Sequence, residues 1–311
     1  MALHRLPAND ETLRVGVFDR SFPPILTIES GDVVVMETAT HWGDGVHPDT
    51  TLADVIAYRT GPFAGVGPHS VTGPIRIEGA RTGDVLKIEI HRLVPRSHGF
   101  NLILPSEWQS GLLPEDFAEG RLRHFHHDLE AMTTTFSPQV RLPLRPFLGI
   151  MAVAPREEGP HSTVPPGPHG GNIDLRDLVE GTTLYLPIWA DGALFVAGDA
   201  HSRQGDGEVC LTAIETAMTE AELRLTVIDG PSIERPRAES DEHWITMAFD
   251  EDLLQASKAA VRDMIDFLTH RFDLDAHEAY SLCSVTVDLS ITQVVNGQRG
   301  VHAKLPKSVF V

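Results

Sequence analysis

Four side chains able to hold a cation or move a proton fall within the ten residues Asp199–Glu208: Asp199, His201, Asp206 and Glu208, with glycine at 205 and 207. Carboxylate and imidazole donors together suit a divalent transition metal, zinc first, with calcium or another divalent ion as the alternative. Asp199 and His201 are two apart, so on an extended backbone they point to the same side, as two ligands of one ion must. Ser202 then points to the opposite side and forms no triad with His201. The glycines admit left-handed backbone and let N–H groups approach a small ligand closely. A second polar cluster, His169-Gly170-Gly171-Asn172-Ile173-Asp174, lies upstream. Between the two, Thr183–Pro187 and Ala193–Ala197 are apolar, of strand length and rich in strand-forming types. Both clusters are therefore expected at strand ends, where a rigid sheet aims side chains carried on loop backbone.

The elements that must position these residues read mostly as strands. Thr12–Val17, Asp32–Glu37, Pro74–Glu78, Val85–Ile90, Leu148–Val153, Val209–Ile214 and Ala221–Val227 carry strand patterns, and Asp229-Gly230-Pro231 closes the last with turn chemistry. Leu86, Ile88 and Ile90 alternate with Lys87 and Glu89, the pattern of a half-buried strand. Pro95–Pro146 is weakly patterned and expected to be rich in loops. Asp252–Phe272 is the one long helix, with Leu254, Val261, Ile265 and Leu268 as its apolar stripe and Asp250 as its N-cap. A shorter helix over Ala276–Cys283 precedes a strand, Asp288–Asn296. Several histidines stand outside the two clusters. His41 and Asp44 lie in the polar segment ATHWGDGVHPDTT and are candidates to reach the site. His69 reads as an exposed turn residue, and His124 and His126 as part of a solvated strand.

At 311 residues the chain is long enough to bury a sizeable core, as one unit or as two intimate lobes over about 1–150 and 151–311. Its 25 basic and 44 acidic residues give a formal charge of −19. That argues against nucleic acid and anionic membrane surfaces as partners, since both require basic patches. Cys210 and Cys283 have no spacing that suggests a disulfide framework, and Cys210 has no activating base nearby in sequence. Neither a secretory leader nor a membrane-length apolar run is visible, so a cytoplasmic protein is expected.

The segments GGNIDLRDL, TLYLPIWADGALFVAGDAHSRQGDGEVCLTAIE and VTGPIRIEGARTGDVLKIEI resemble the acetamidase/formamidase family of amidohydrolases. HEAYSLCSVTVDLSITQVVNG and LPKSVF extend the resemblance, which runs in family order from about Gly31 onward. It implies an α+β, predominantly β protein: a β-sandwich-like core with a smaller β/α portion and one long C-terminal helix. It implies a homo-oligomer, a dimer or higher, that hydrolyses small linear amides to carboxylate and ammonia with a bound divalent metal. Amide hydrolysis needs an activated water, a stabilised oxyanion and a proton for the leaving nitrogen. On that chemistry Asp199 and His201 are assigned as ligands, with His169 as a third. Glu208 becomes the general base and acid, Gln204 orients the amide, and Asp206 joins them as a further ligand or turn-fixing group. Gly170, Gly171, Asn172 and Arg203 are the substrate-binding candidates, with Gly205 and Gly207 as further N–H donors to the oxyanion. Asp174 and Asp177 are assigned to supporting roles, with Arg176 as an ion-pair partner. Arg203 stands where the family more often has a small residue, which admits an acyl group bearing a carboxylate. The alternatives are hydrolysis of another C–N bond, in a cyclic amide or carbamoyl compound, and a non-catalytic metal or small-ligand binding protein on the same scaffold. Glu208 separates the last from the others, because a pure binding site needs no free carboxylate beside the ligands.

Overall fold

Strands with one apolar face must cover it with another, and two large sheets do so here. The computed structural model describes residues 1–229 and 232–310. The first sheet has nine strands. Met218–Ile228 and Val85–Pro95 lie side by side within it, flanked by Asp32–Met36 and Thr183–Pro187. His243–Asp250, Arg299–Pro306 and Asp288–Gln293 complete one edge. The second sheet has eleven strands and is organised around Phe195–Arg203. Phe147–Ala152 and Ile214–Thr216 flank that strand, and Ser70–Ile77 joins its first half, with Phe195 opposite Ile75 and Gly198 opposite Val71.

The alternation expected over Val85–Ile90 is present. Leu86, Ile88 and Ile90 are buried, while Lys87 and Glu89 pair at 2.9 Å on the other face. Val34, Leu86, Ile88, Leu223 and Leu225 of the first sheet share one core with Ile75, Leu148, Phe195 and Ala197 of the second. Each large side chain in it contributes roughly 1.5–3 kcal/mol by leaving water. The fold is thus a predominantly β, α+β sandwich with one long helix near its C-terminus. Strands from before and after residue 150 are interleaved in both sheets.

Several expected elements differ. The long helix runs Leu253–Phe272 and is capped by Asp252, whose carboxylate accepts from the N–H groups of Leu254 and Gln255. Its inner stripe is Ala256, Ala260, Met264 and Leu268, packed on Ala248, Val301, Ala303 and Leu305, while Leu254 faces solvent. The small alanines let the helix approach the sheet, a signal weaker in the sequence than leucine and isoleucine. The following helix extends to Thr286. Pro95–Pro146 is loop-rich over 104–120, as expected, but His98–Ile103, Arg121–Asp128, Thr133–Ser137 and Val140–Pro143 form one end of the second sheet. Their polar faces hid the strand pattern. Val209–Ile214 is a turn and not a strand, because Glu208 and Leu211 take left-handed φ values of 48° and 116° and pairing begins only at Ile214. Of the expected turn Asp229-Gly230-Pro231, the last two residues lie outside the described residues. No helix among the described residues is long and apolar enough to cross a membrane.

Candidate active site

Three neighbouring strands bring the site together. His201 on Phe195–Arg203 lies opposite Glu215 on one side and Phe147 on the other. Cross-strand partners point to the same face, so His201 and Glu215 meet, with His201 Nε2 at 3.1 Å from Glu215 Oε2. The His201 ring stands edge-on to Phe147, centroids 4.9 Å apart. Asp199 also reaches this face, its Oδ2 3.5 Å from His201 Nε2. It does so at φ 51°, in the left-handed region. Gly149 faces it from the next strand. A Cβ there would come within 2.8 Å of Asp199 Oδ2 and 2.7 Å of Asp174 Oδ1, so only glycine leaves the space before these two carboxylates open.

Two histidines arrive from far away in sequence. A turn at His41–Asp44 is tied to the strand Ser70–Ile77: Trp42 N–H donates to Pro68 O, Gly43 N–H to Ser70 Oγ, and Ser70 Oγ to Thr40 O. The turn delivers His41 Nε2 to 3.0 Å from Asp199 Oδ1 and 3.5 Å from Glu215 Oε2. His69, expected to be exposed, is buried. Its Nε2 is 4.0 Å from Asp199 Oδ2 and its Nδ1 is 3.0 Å from Thr163 Oγ1. Asp44 turns the other way, held by both oxygens to Arg96 at 2.7 and 2.9 Å.

Asp174 and Glu208 close the remaining side. Both sit at left-handed φ, 53° and 48°. Non-glycine residues in that region carry strain that clusters at functional sites. Asp174, His201 and Glu208 form one group whose donor atoms lie within 4.8 Å of one another. His41, His69 and Asp199 form a second, and Asp199, His201 and Glu215 a third. Every member is buried. Asp174 Oδ1, Glu208 Oε2 and Glu215 Oε2 are buried without a hydrogen-bond partner. Glu215 Oε2 is near two imidazole nitrogens but aligned with neither, the arrangement of donor atoms directed at a shared point. Buried, unpartnered carboxylate oxygens beside imidazole nitrogens fit a divalent cation of the zinc type.

The electrostatics divide the site in two. Burial opposes charge on His41, yet its hydrogen bond to Asp199 and the nearby Glu215 carboxylate outweigh burial and carry it up to about 9. Burial also opposes charge on His201, and the charges of Glu215 and Asp199 hold it well above its ordinary value. Asp199 resists the upward pull of burial and stays well below the usual carboxylate range because of the imidazoles around it. Glu215 is lowered likewise, the charge of His201 overcoming burial. On the other side, burial raises Asp174 to about 8, and burial with the adjacent Asp174 charge raises Glu208 well above its ordinary value. His69 goes to about 4 through burial, against the pull of Asp199. One half therefore carries anions matched to imidazolium, and the other holds two carboxyls with high proton affinity.

The residues singled out from sequence divide accordingly. Asp199, His201 and Glu208 meet in the site, and Gln204 touches it through His201 Nδ1 at 3.0 Å. His169 is in none of the three groups. Reciprocal backbone bonds between Gly167 and Gly170 fold its loop back, and its ring stands edge-on to Phe18. Asp206 pairs with Arg176 at 2.8 Å near the surface, and Asp177 pairs instead with Arg145 and Lys304. The Arg203 guanidinium donates to Pro143 O, away from the site. Asn172 Nδ2 donates to Val164 O, leaving Oδ1 without a partner. Gly170 and Gly171 form a short strand against Met151 and Ala152, and the N–H groups of Gly170 and Gly207 are already committed to backbone carbonyls. His124 bonds His98 and Thr50 O, and His126 is exposed. Nothing local singles out Glu215, a lone acid among small and apolar residues in TAIETAM.

A two-sheet β protein with a buried imidazole–carboxylate centre on its central strands is what fold and site define. The chain belongs to the Acetamidase/Formamidase family, whose sequence model matches residues 7–162 and 157–311. It is 28% identical over 247 residues to the formamidase of Methylophilus methylotrophus, covering 63% of this chain and 59% of that protein. It is 24% identical over 247 residues to the acetamidase of Mycolicibacterium smegmatis, covering 60% and 59%. The chain thus matches less than two thirds of the length of these curated relatives. The solved acetamidase of Bacillus halodurans superposes with a TM-score of 0.88 at 34% identity, covering 98% of both chains.

Proposed function

We propose that this chain hydrolyses small linear amides of the formamide and acetamide type, releasing carboxylate and ammonia. The observation that carries the reading is the convergence of His201 Nε2, Asp199 Oδ2 and Glu215 Oε2 in a buried site beside an uncommitted Glu208 carboxyl. Asp199, His201 and Glu215 would hold a divalent cation, zinc on the chemistry of the donors, with His41 and His69 packed against Asp199. When bound, such an ion makes water a stronger acid and polarises an amide carbonyl.

The rest of the chemistry belongs to the chain. Asp199 and Glu215 remain ionised and hold the imidazoles of His41 and His201 in place. Burial and the adjacent Asp174 carboxyl give Glu208 a high proton affinity, so its Oε2 suits a group that takes the water's proton and returns one to the departing nitrogen. Asp174 Oδ1 faces the space over Gly149 that Asp199 Oδ2 also faces, and it is placed to hydrogen-bond what enters there. The enclosure favours a small acyl group: His41, His69, Asp199, His201 and Glu215 are each at most 7% exposed. Arg203 is engaged elsewhere, so nothing at that position favours an acidic acyl group. We take the enzyme to be cytoplasmic as the default and, by family resemblance, homo-oligomeric.

Ammonia release from formamide, acetamide and longer primary amides, measured on zinc-loaded protein, tests this function. The expected result is turnover of the smallest amides, with kcat/KM falling as the acyl chain grows. Absence of turnover on any primary amide would overturn it.

A further inference from the structure

The segment TQVVNG lies far along the chain from Asp199–Glu208, yet it reaches the site through one side chain. Asn296 Nδ2 donates to Asp174 Oδ2 at 2.7 Å. Asn296 is itself held by Gln293, whose Oε1 accepts from the N–H groups of Val295 and Asn296 and whose Nε2 donates to Gln298 O. The same segment fastens the Glu208 turn, since Gly207 N–H donates to Thr292 O and Val294 N–H to Gly207 O.

Gln204 makes the complementary contacts. Its Nε2 donates to the backbone oxygen of Asp174 at 2.9 Å, so its Oε1 must face the other way, 3.0 Å from His201 Nδ1. A carbonyl oxygen only accepts, so His201 Nδ1 carries a hydrogen. The ring atom left facing Asp199 and Glu215 is then Nε2. Both amides are buried, at 6% exposure each. On the Asp174 carboxyl Oδ2 is occupied by Asn296, which leaves Oδ1 as the atom without a partner, turned toward the space over Gly149.

We propose that Gln204 and Asn296 are paired positioning residues, an amide clamp around Asp174 that fixes which atoms face the reaction. Gln204 presents His201 Nε2 to the cation, and Asn296 presents Asp174 Oδ1 to the substrate space. The proposal rests on the cation reading given above. It places Gln204 one step behind the substrate, acting through His201.

Three variants of the full chain test it: Gln204→Met, which keeps length without hydrogen bonding; Gln204→Glu, whose acid form can still accept from Nδ1 and donate to Asp174 O; and Asn296→Leu. Zinc affinity is read by competition with a chromophoric chelator. Protection of the His201 Nδ1–H from exchange, which the bond to Gln204 Oε1 provides whether or not Nε2 also carries a hydrogen, is read by ¹⁵N-histidine NMR on ion-free protein. Gln204→Met should lose the slowly exchanging Nδ1–H signal and bind zinc ~10–100-fold more weakly, the usual effect of removing a group that orients a ligand. Gln204→Glu should recover most of that loss. Asn296→Leu should keep zinc affinity within a few-fold and lower kcat by ~10–100-fold with little change in KM. Retention of the Nδ1–H signal and of zinc affinity in Gln204→Met would overturn the Gln204 assignment. If Gln204→Met does not fold, a folded Gln204→Glu with weak zinc binding would overturn it equally. Unchanged kcat in Asn296→Leu would remove Asn296 from the clamp. A parent protein that takes up no zinc refutes the cation reading, while the His201 signal, read without any ion, still decides for or against Gln204.

Discussion

Two groups of histidines lie at the second sheet, and only one has carboxylates paired with it. His98 and His124 bond each other on one face of the strand pair His98–Ile103 and Arg121–Asp128, and with His127 on the other face they make one. His41, His69 and His201 form the other, gathered from three distant segments. In the first, His124 Nε2 donates to Thr50 O, so its Nδ1 accepts from His98 Nε2 at 2.9 Å, and both ring nitrogens of His127 are buried without a partner. Among the described residues no carboxylate pairs with any of the three. Burial and neighbouring imidazoles therefore take His98 and His127 down to about 4. In the second group Asp199 and Glu215 reverse the sign for His41, which rises to about 9, while His69, 4.0 Å from Asp199, is still taken by burial to about 4. Carboxylates, not the number of histidines, separate a place for a cation from a place for neutral rings.

The largest effect should come from breaking the carboxylate half of the second cluster. Asp199→Asn should abolish zinc retention and reduce turnover by more than the ~10²–10⁴-fold typical of losing a proton-transfer group. Metal analysis and an ammonia assay on one preparation check this, and retained zinc with retained activity would erase the distinction between the clusters. Glu208→Gln should come next, with kcat down ~10²–10⁴-fold while metal content and melting temperature hardly move. Loss of metal or of fold in that variant would make Glu208 a ligand or a structural residue.

The first cluster should respond in stability and not in catalysis. Because His127 is neutral in the fold to about pH 4, the unfolded chain takes up the proton first as pH falls below 6.5, its ordinary value. Stability is therefore lost between about pH 6.5 and pH 4, at up to ~1.4 kcal/mol per pH unit for such a group. His127→Leu should flatten that window in denaturant titrations at stepped pH. At neutral pH it should range from no change to a gain of ~1 kcal/mol, since two unpartnered nitrogens are removed. Turnover should stay within a few-fold. The smallest effect is expected from Cys210→Ser with Cys283→Ser: Cys210 is hydrogen-bonded by Asn101, and burial pushes the Cys283 thiol up. Turnover of the double variant within a few-fold of the parent is the expected reading.

The contrast also marks what the chain disclosed beforehand. Period-two spacing put Asp199 and His201 on one face, and the glycine-rich turn pointed to Glu208 and Gln204. Strand alternation marked many of the strands, and the sandwich came largely from the resemblance. What stayed hidden was long-range. His41 and Asp199 are 158 positions apart, and Asp174 and Asn296 are 122 apart, so no local window contains either pair. Glu215 was concealed by its small and apolar flanks, and His69 by a turn that looked solvated. The left-handed backbone at Asp174, Asp199 and Glu208 has no local signature, because none of the three is glycine. His169 misled for the converse reason, a histidine beside two glycines whose loop folds onto Phe18.

Asp199, His201 and Glu215 are proposed to hold a cation on which turnover depends. The most direct measurement is to strip the protein with a chelator, add zinc back in steps, and follow ammonia release with anomalous diffraction at the zinc edge. On this proposal activity falls on stripping and returns as about one ion per chain binds, with the anomalous peak between Asp199, His201 Nε2 and Glu215. Full turnover in the stripped protein, or a peak away from these three residues, would contradict it.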